Sequence, residues 1–228
     1  MRKITFGMLP AALALSGAAF AQSSGNFSAT VATLQCGLNQ TTGTISGGLG
    51  GTVLDTTIQT PNSGQTALLI RPSLDIGLFT RTRVSNVLQV AAAAAGVKVR
   101  VLIDGKVVAP GTPVGAAAGP GDGWVVFDQR FQQLRSNLAS FLGDDCNPDP
   151  SVIEPCFAEL VLSTLSMHSG DFVAGAVGGG NHAVRVEWQF EPTSATADQA
   201  ACVGPGVVTV QQVKTFSTGG GIVITNNQ

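Results

Sequence analysis

The fold class is decided by one stretch of the chain, AVRVEWQFE, at residues 183–191. Its apolar members are Val184, Val186, Trp188 and Phe190, and they alternate with Arg185, Glu187, Gln189 and Glu191. Successive side chains of a strand point to opposite faces of a sheet, so this alternation turns one face to a core and the other to water. The stretch is therefore predicted to be a half-buried β-strand.

The same period of two recurs elsewhere in the chain. Val97, Val99, Val101 and Ile103 alternate with Lys98 and Arg100, and Asp104-Gly105 follows before a second apolar run. Asp-Gly between apolar runs is typical of a hairpin, because a two-residue turn needs positive φ angles, which Gly accepts and Asp tolerates. Further strands are predicted at residues 27–34, 52–59, 66–71, 78–85, 124–128, 159–166, 172–174, 207–215 and 221–225. We expect an all-β protein, an antiparallel β-sandwich.

One segment departs from this pattern. Phe131, Leu134, Leu138 and Leu142 recur at three- and four-residue spacing, and Gly143 follows them. Such spacing is typical of one face of a helix, and a glycine often ends a helix in the left-handed conformation. We expect a short helix around residues 130–142 that caps one open end of the sandwich.

Two late segments resemble a known class of sandwich. Residues 166–173, SMHSGDFV, are followed by a glycine-rich turn and by residues 182–188, HAVRVEW. This order resembles the last strands of the jelly-roll sandwiches of the tumour-necrosis-factor and complement type, and it implies a jelly-roll-like fold. The blocks VLIDG at 101–105 and FDQRF at 127–131 also resemble uncharacterised secreted bacterial proteins, which implies no activity.

The amino-terminal segment has the three parts of a secretory signal peptide. Arg2 and Lys3 precede an apolar run, and small residues stand at Ala19 and Ala21. We expect residues 1–21 to be removed and residues 22–228 to form one exported domain, periplasmic or extracellular in a bacterium. Thinly scattered Lys and Arg exclude a nucleic-acid partner. No later run reaches the roughly 20 apolar residues of a membrane anchor.

Four cysteines in an exported chain predict two disulfides. Sequence alone permits three pairings. Cys146 and Cys156 flank a turn-rich stretch and can meet through a short loop, so we favour Cys146–Cys156. The remaining pair, Cys36–Cys202, would then tie the first strands to the last ones and restrict the unfolded chain.

The few residues with catalytic chemistry cluster near His168. Ser166, His168 and Asp171 offer the groups of a hydrolase, but residues so close in sequence rarely place an Asp behind the imidazole. His168 and His182, with Asp171, could meet across a hairpin, but these are too few ligands for a predicted metal site. We predict neither a catalytic nor a metal site and retain His168, Asp171 and His182 as candidates for ligand binding.

Three further parts of the sequence offer side chains that could contact a ligand or a metal ion. Asp128 and Arg130 lie two apart and are predicted to project from one face, either as a structural tie or toward a ligand. Trp124 is the one aromatic residue suited to stacking on a sugar ring. Calcium is the one cofactor considered, because Asp144, Asp145, Asn147 and Asp149 gather on one loop. Their spacing fits no EF-hand, and a solvated acidic loop is favoured.

These observations predict a secreted or surface-exposed, non-enzymatic protein of the structural or adhesion type. The first alternative is a module that binds glycans or small ligands. The second is an extracellular hydrolase, which would need a pocket that gathers His168, Asp171 or Asp128 with a hydroxyl group. The partner is not named by the sequence, and both further copies of the chain and a cell-surface protein fit.

Overall fold

The computed structural model describes residues 26–36, 50–62, 66–85, 90–111, 115–135, 157–192 and 198–214. Within these ranges the secondary structure consists of β-strands, and no helix is present. The strands, in chain order, are β1 (Phe27–Ala32), β2 (Gln35–Cys36), β3 (Gly50–Thr60), β4 (Thr66–Ser85), β5 (Val90–Ile103), β6 (Lys106–Val107), β7 (Val125–Arg135), β8 (Phe157–Ser169), β9 (Phe172–Val177), β10 (Gly180–Pro192) and β11 (Asp198–Lys214). The all-β prediction is confirmed.

The strands form two antiparallel sheets that pack as a sandwich. The front sheet has the order β1-β11-β4-β8, with β2 beside β11 and β9 beside β4. The back sheet has the order β3-β10-β5, and both β6 and β7 pair with the other side of β5. Every described pairing is antiparallel, and strands distant in sequence lie side by side, as in the Greek keys of a jelly roll.

The core lies between the two sheets and follows the alternation seen in the sequence. Val184, Val186 and Trp188 of β10 are buried, as are the apolar positions of β5 and the facing positions of β4 and β11. Full burial of a side chain of this size stabilises the folded state by about 1.5–3 kcal/mol. The Asp104-Gly105 hairpin is also confirmed: both residues have positive φ, at 52° and 76°, and β5 pairs with β6 across them.

The predicted helix around residues 130–142 is wrong where the structure describes it. Residues 130–135 belong to β7, which pairs with the alanine-rich part of β5. The expected helix would bury Phe131 and expose Gln132, whereas the strand exposes 69% of Phe131 and only 5% of Gln132. The segment forms a strand despite its helical spacing. Pairing with the edge of β5 supplies hydrogen-bond partners for its backbone N–H and C=O groups and gives the Gln132 amide buried partners. Residues 136–142 lie outside the described part.

Other predicted strands differ mainly in length. The segments expected at residues 66–71 and 78–85 are one continuous strand, β4, and β11 begins at Asp198 rather than at residue 207. In these long strands, every second side chain points to the outer face of the front sheet. The strand expected at residues 221–225 and the signal peptide at residues 1–21 lie outside the described residues.

A disulfide joins Cys36 of β2 to Cys202 of β11, as predicted. It links positions 166 residues apart and ties the short β2 to the centre of the front sheet. The expected Cys146–Cys156 bridge lies outside the described residues. None of the described residues forms a helix of the length and apolarity that crossing a membrane requires.

Candidate functional site

Sequence reasoning grouped His168, Asp171 and His182, but the structure gives each of them different partners. Asp171 pairs with Arg71 of β4, with the Arg71 Nε at 2.5 Å from Asp171 Oδ1. The hydrogen bond from Arg71 lowers the pKa of Asp171, and the same bond raises the pKa of Arg71. His182 bonds to Asp104 at one end of the sandwich. Within the described residues, the structure therefore shows no contact that would join His168, His182 and Asp171 in a shared site.

His168 instead meets Ser166 and Asp128 where the edges of the two sheets approach each other. The Nε2 atom of His168 lies 2.7 Å from Ser166 Oγ and 3.3 Å from Asp128 Oδ2. A hydrolytic triad needs the hydroxyl on one ring nitrogen and the carboxylate on the other, so that the acid orients the base. Here both groups face the same nitrogen. The Ser166 contact lies within β8, and the contact of His168 with Asp128 is a polar tie between β8 and β7.

This tie is one part of a polar edge, by which we mean Asp128, Arg130 and Gln132 of β7 together with Ser166 and His168 of β8. Arg130 Nη1 donates to the backbone oxygen of Leu78 at 3.4 Å. Arg130 thus contacts the backbone of the front sheet, whereas Asp128 contacts His168.

Gln132 is the most deeply buried member of the polar edge. The Thr80 hydroxyl donates to Gln132 Oε1 at 2.7 Å, and Gln132 Nε2 donates to Thr82 Oγ1 and, at 3.2 Å, to the Leu160 carbonyl. Both threonines are almost fully buried. Every hydrogen-bonding group of the amide has a partner, so this network fastens β7 of the back sheet to β4 and β8 of the front sheet.

Trp124 lies over a cation rather than open to a ligand. The Arg100 guanidinium carbon lies 4.5 Å from the centre of a Trp124 ring, and Trp124 Nε1 donates to the Pro120 carbonyl at 2.9 Å. Arg100 also donates to the carbonyls of Gly119 and Asp122, which holds the 119–124 loop on the back sheet. One face of the indole is thereby occupied, and the ring has a structural role that a free sugar-stacking platform would not have.

The outer face of the front sheet carries an apolar surface that sequence reasoning missed. We call it the front face and define it by Val31, Leu34, Leu165, Met167 and Val207, which are all exposed. Val31 and Val207 are register partners, and Leu165 lies in one register row with Gly77, Cys202 and Cys36. Leu165 and Met167 expose 71% and 69% of their surface.

A groove crosses the front face at Gly77. It has a cavity volume of ≈ 190 Å³, and its lining includes the disulfide, Leu34, Leu165 and Phe79. The groove passes beside Gly77, where a Cβ would lie 3.3 Å from Cys202 Cβ and 3.7 Å from Leu165 Cδ1. Ser163 and Thr164 also line it. Such a groove suits an apolar group rather than a charged one.

A signal for the front face was present in the sequence. Residues 157–167, FAELVLSTLSM, have apolar residues at both odd and even positions, so neither face of this strand is wholly polar. A prediction from simple alternation expects one apolar and one polar face, and so it overlooks the second apolar face of this strand. In β8, Val161, Leu165 and Met167 all lie on the outer face.

Within the described ranges, no group of three or more His, Cys, Asp or Glu side chains is arranged to hold a metal ion. The acidic cluster considered for calcium, at residues 144–149, lies outside those ranges. No protein-family model matches the chain, and no curated protein matches it.

Proposed function

We propose that this is an exported, non-enzymatic protein of the structural or adhesion type, which assembles with further copies of itself through the front face. The observation that carries the proposal is the exposed apolar surface around the Gly77 groove. Exposed apolar side chains on the outside of a sandwich are unfavourable in water, and patches of them commonly mark interaction sites. The centre of the back sheet's outer face, in contrast, carries cross-strand ion pairs and is contacted by the 119–124 loop.

Charges around the front face favour a second copy as the occupant. Arg71 pairs with Asp171 on one side, and Arg81 lies between Glu159 and Asp198 on the other. The rim therefore carries both signs and is electrostatically compatible with itself. An interface that repeats the same patch on both partners is the commonest arrangement in homo-oligomers.

Two sequence features support the remaining parts of the proposal. The leader at residues 1–21 supports export, and the Cys36–Cys202 disulfide is consistent with an oxidising compartment. The resemblance to jelly-roll sandwiches of the tumour-necrosis-factor and complement type stays part of the proposal. The strand order of the two sheets supports it.

Multi-angle light scattering over a range of protein concentrations tests this function. We expect the wild-type protein to be oligomeric and Leu165→Glu to be monomeric, because the new carboxylate would be buried without a partner in the interface. Val126→Glu is the matched control, since Val126 is an exposed apolar residue of the back sheet. The proposal is wrong if the wild-type protein remains monomeric, or if Leu165→Glu assembles as the wild type does.

Binding of a small apolar ligand in the Gly77 groove is the second candidate function. The groove is lined mainly by apolar side chains and by the disulfide, which supports an apolar ligand over a glycan. Gly77→Val would fill the groove while adding little bulk to the rest of the face. A monomeric wild-type protein that binds a fluorescent apolar probe, and loses it in Gly77→Val, would favour this candidate over assembly.

A further inference from the structure

His182 lies at one end of the sandwich, where two turns meet. It stands near the start of β10, directly after the glycine-rich turn that follows β9, and it faces the Asp104-Gly105 turn between β5 and β6. Its side chain is only 14% exposed. The imidazole is therefore held between two turns.

Both ring nitrogens of His182 face oxygen acceptors. Nδ1 lies 2.7 Å from Asp104 Oδ2, and Nε2 lies 3.0 Å from the Gly178 carbonyl oxygen. A neutral imidazole has one N–H and can donate to only one of them, whereas the imidazolium ion donates to both. The other carboxylate oxygen of Asp104 accepts from the Ala183 amide at 2.9 Å, which fixes the carboxylate in this position.

We propose that His182 is a proton-controlled latch, which fastens the turn at Gly178 to the turn at Asp104 when it is charged and releases Gly178 when it is neutral. The Asp104 carboxylate is the stronger acceptor, so the single N–H of the neutral ring stays on Asp104. Release would then act on Gly178 and Gly179, which lie just before Gly180 pairs with Thr60 at the start of β10. The Thr60 hydroxyl, which lies 2.5 Å from the Gly178 carbonyl oxygen and 3.3 Å from that of Gly180, would remain as the other anchor of this turn.

The electrostatic surroundings favour the charged ring. The hydrogen bond to Asp104 raises the pKa of His182 and outweighs partial burial, which acts in the opposite direction. Partial burial alone would raise the pKa of Asp104, but the hydrogen bonds from His182 and Ala183 and the charge of Lys106 lower it. Asp55 and Arg185, the nearest charges on β3 and β10, pair with each other on the outer face.

The sign of the pH dependence follows from these directions. A raised His182 pKa gives stabilisation that is complete below the unfolded value of about 6.5 and is lost as the pH rises through the folded value. A lowered Asp104 pKa gives stabilisation that is present above about 3.9 and is lost as the pH falls through the folded value. The latch is thus closed below the folded pKa of His182, which lies above the ordinary value of about 6.5, and it opens as the pH rises through that pKa.

Two NMR measurements on the full exported protein test the latch. The ring signals of His182 should titrate with a pKa above about 6.5. The hydrogen-exchange protection of the Gly179 and Gly180 amides, corrected for intrinsic exchange, should fall about fivefold as the pH passes through that pKa. A His182 pKa at or below 6.5, or protection that does not change across the titration, would overturn the proposal.

Three variants separate the latch from a purely structural contact. Asp104→Asn should lower the His182 pKa, because the ring loses its anionic partner. His182→Gln should remove the pH dependence of amide protection, since glutamine does not titrate in this range. His168→Gln, which changes the other histidine of the chain, should leave both readouts as in the wild type. If His182→Gln does not fold, the two wild-type measurements still decide the question.

Discussion

The outer faces of the two sheets differ at their centres: the back sheet carries cross-strand ion pairs there, whereas the front sheet carries a disulfide with apolar neighbours and has its ion pairs nearer the ends of β4. On the back sheet, Arg185 faces Asp55 and Arg100 faces Glu187 in directly opposed register positions. On the front sheet, the equivalent central row contains Cys36, Cys202, Gly77 and Leu165. The two sheets share one core, so burial within the chain does not explain the difference.

The difference indicates that the two outer faces have different roles. Cross-strand ion pairs keep an outer face hydrated and disfavour association with other apolar surfaces. An apolar outer face with a groove has the opposite property. Under the proposed function, the front sheet is the side that meets a further copy of the chain, and the back sheet faces solvent.

Removing the disulfide should have the largest effect on stability. The double variant Cys36→Ser/Cys202→Ser should lose about 3–5 kcal/mol of unfolding free energy in urea titrations, because the bridge closes a long loop in the unfolded chain. The loop spans 166 residues. A loss below about 1 kcal/mol would contradict this prediction, because closing the loop would then restrict the unfolded chain only slightly. Cys146→Ser/Cys156→Ser is the comparison, since its predicted loop is much shorter and its expected loss smaller.

Gln132→Leu should have the next largest effect, because it cuts the polar connection between the sheets. The leucine has a similar size, but the Thr80 hydroxyl and the Leu160 carbonyl lose the amide that pairs with them. We expect a loss of about 1–3 kcal/mol in urea unfolding. Gln133→Leu, at the exposed neighbouring position, should change stability by less than about 0.5 kcal/mol. Equal stability of Gln132→Leu and the wild type would mean that apolar packing alone joins the sheet edges.

The inner faces of this sandwich could be predicted from the sequence, because burial produces a period that one strand displays by itself. Val184, Val186 and Trp188 are buried as the alternation requires. The hairpin at Asp104 was predictable for a similar reason, since its positive φ angles restrict which residues fit. The Cys36–Cys202 pairing followed from export and from the short loop expected for the other two cysteines.

The outer faces and the edges could not be predicted in the same way, because they depend on which strands become neighbours. Phe131 and Leu134 have helical spacing, yet β7 is fixed by its pairing with β5. The meeting of Asp128 with His168 joins residues on the edges of different sheets. His182 and Asp104 are 78 residues apart and come together only through the order of the strands.

The smallest predicted effects distinguish two cations on the same back sheet. Arg100 and its partner Glu187 expose only 12% and 19% of their side chains, whereas Arg185 and Asp55 are about half exposed. Arg100 also stacks on Trp124 and holds two carbonyls of the 119–124 loop. Arg100→Ala should therefore cost about 1–2 kcal/mol in urea unfolding, because it leaves the largely buried Glu187 and two carbonyls without their donor.

Arg185→Ala should cost less than about 0.5 kcal/mol, because water screens an exposed ion pair. Added salt should reduce this cost further, while the cost of Arg100→Ala should change little. Arg100→Lys keeps the charge but loses the planar fork, so it should retain only part of the wild-type stability. If Arg100→Ala and Arg185→Ala cost the same, the back sheet is a uniformly hydrated surface, and the loop over Trp124 is not held by Arg100. If Arg100→Ala costs more and Arg100→Lys recovers only part of it, hydrogen-bond geometry as well as charge holds the loop on the solvent side of the sandwich.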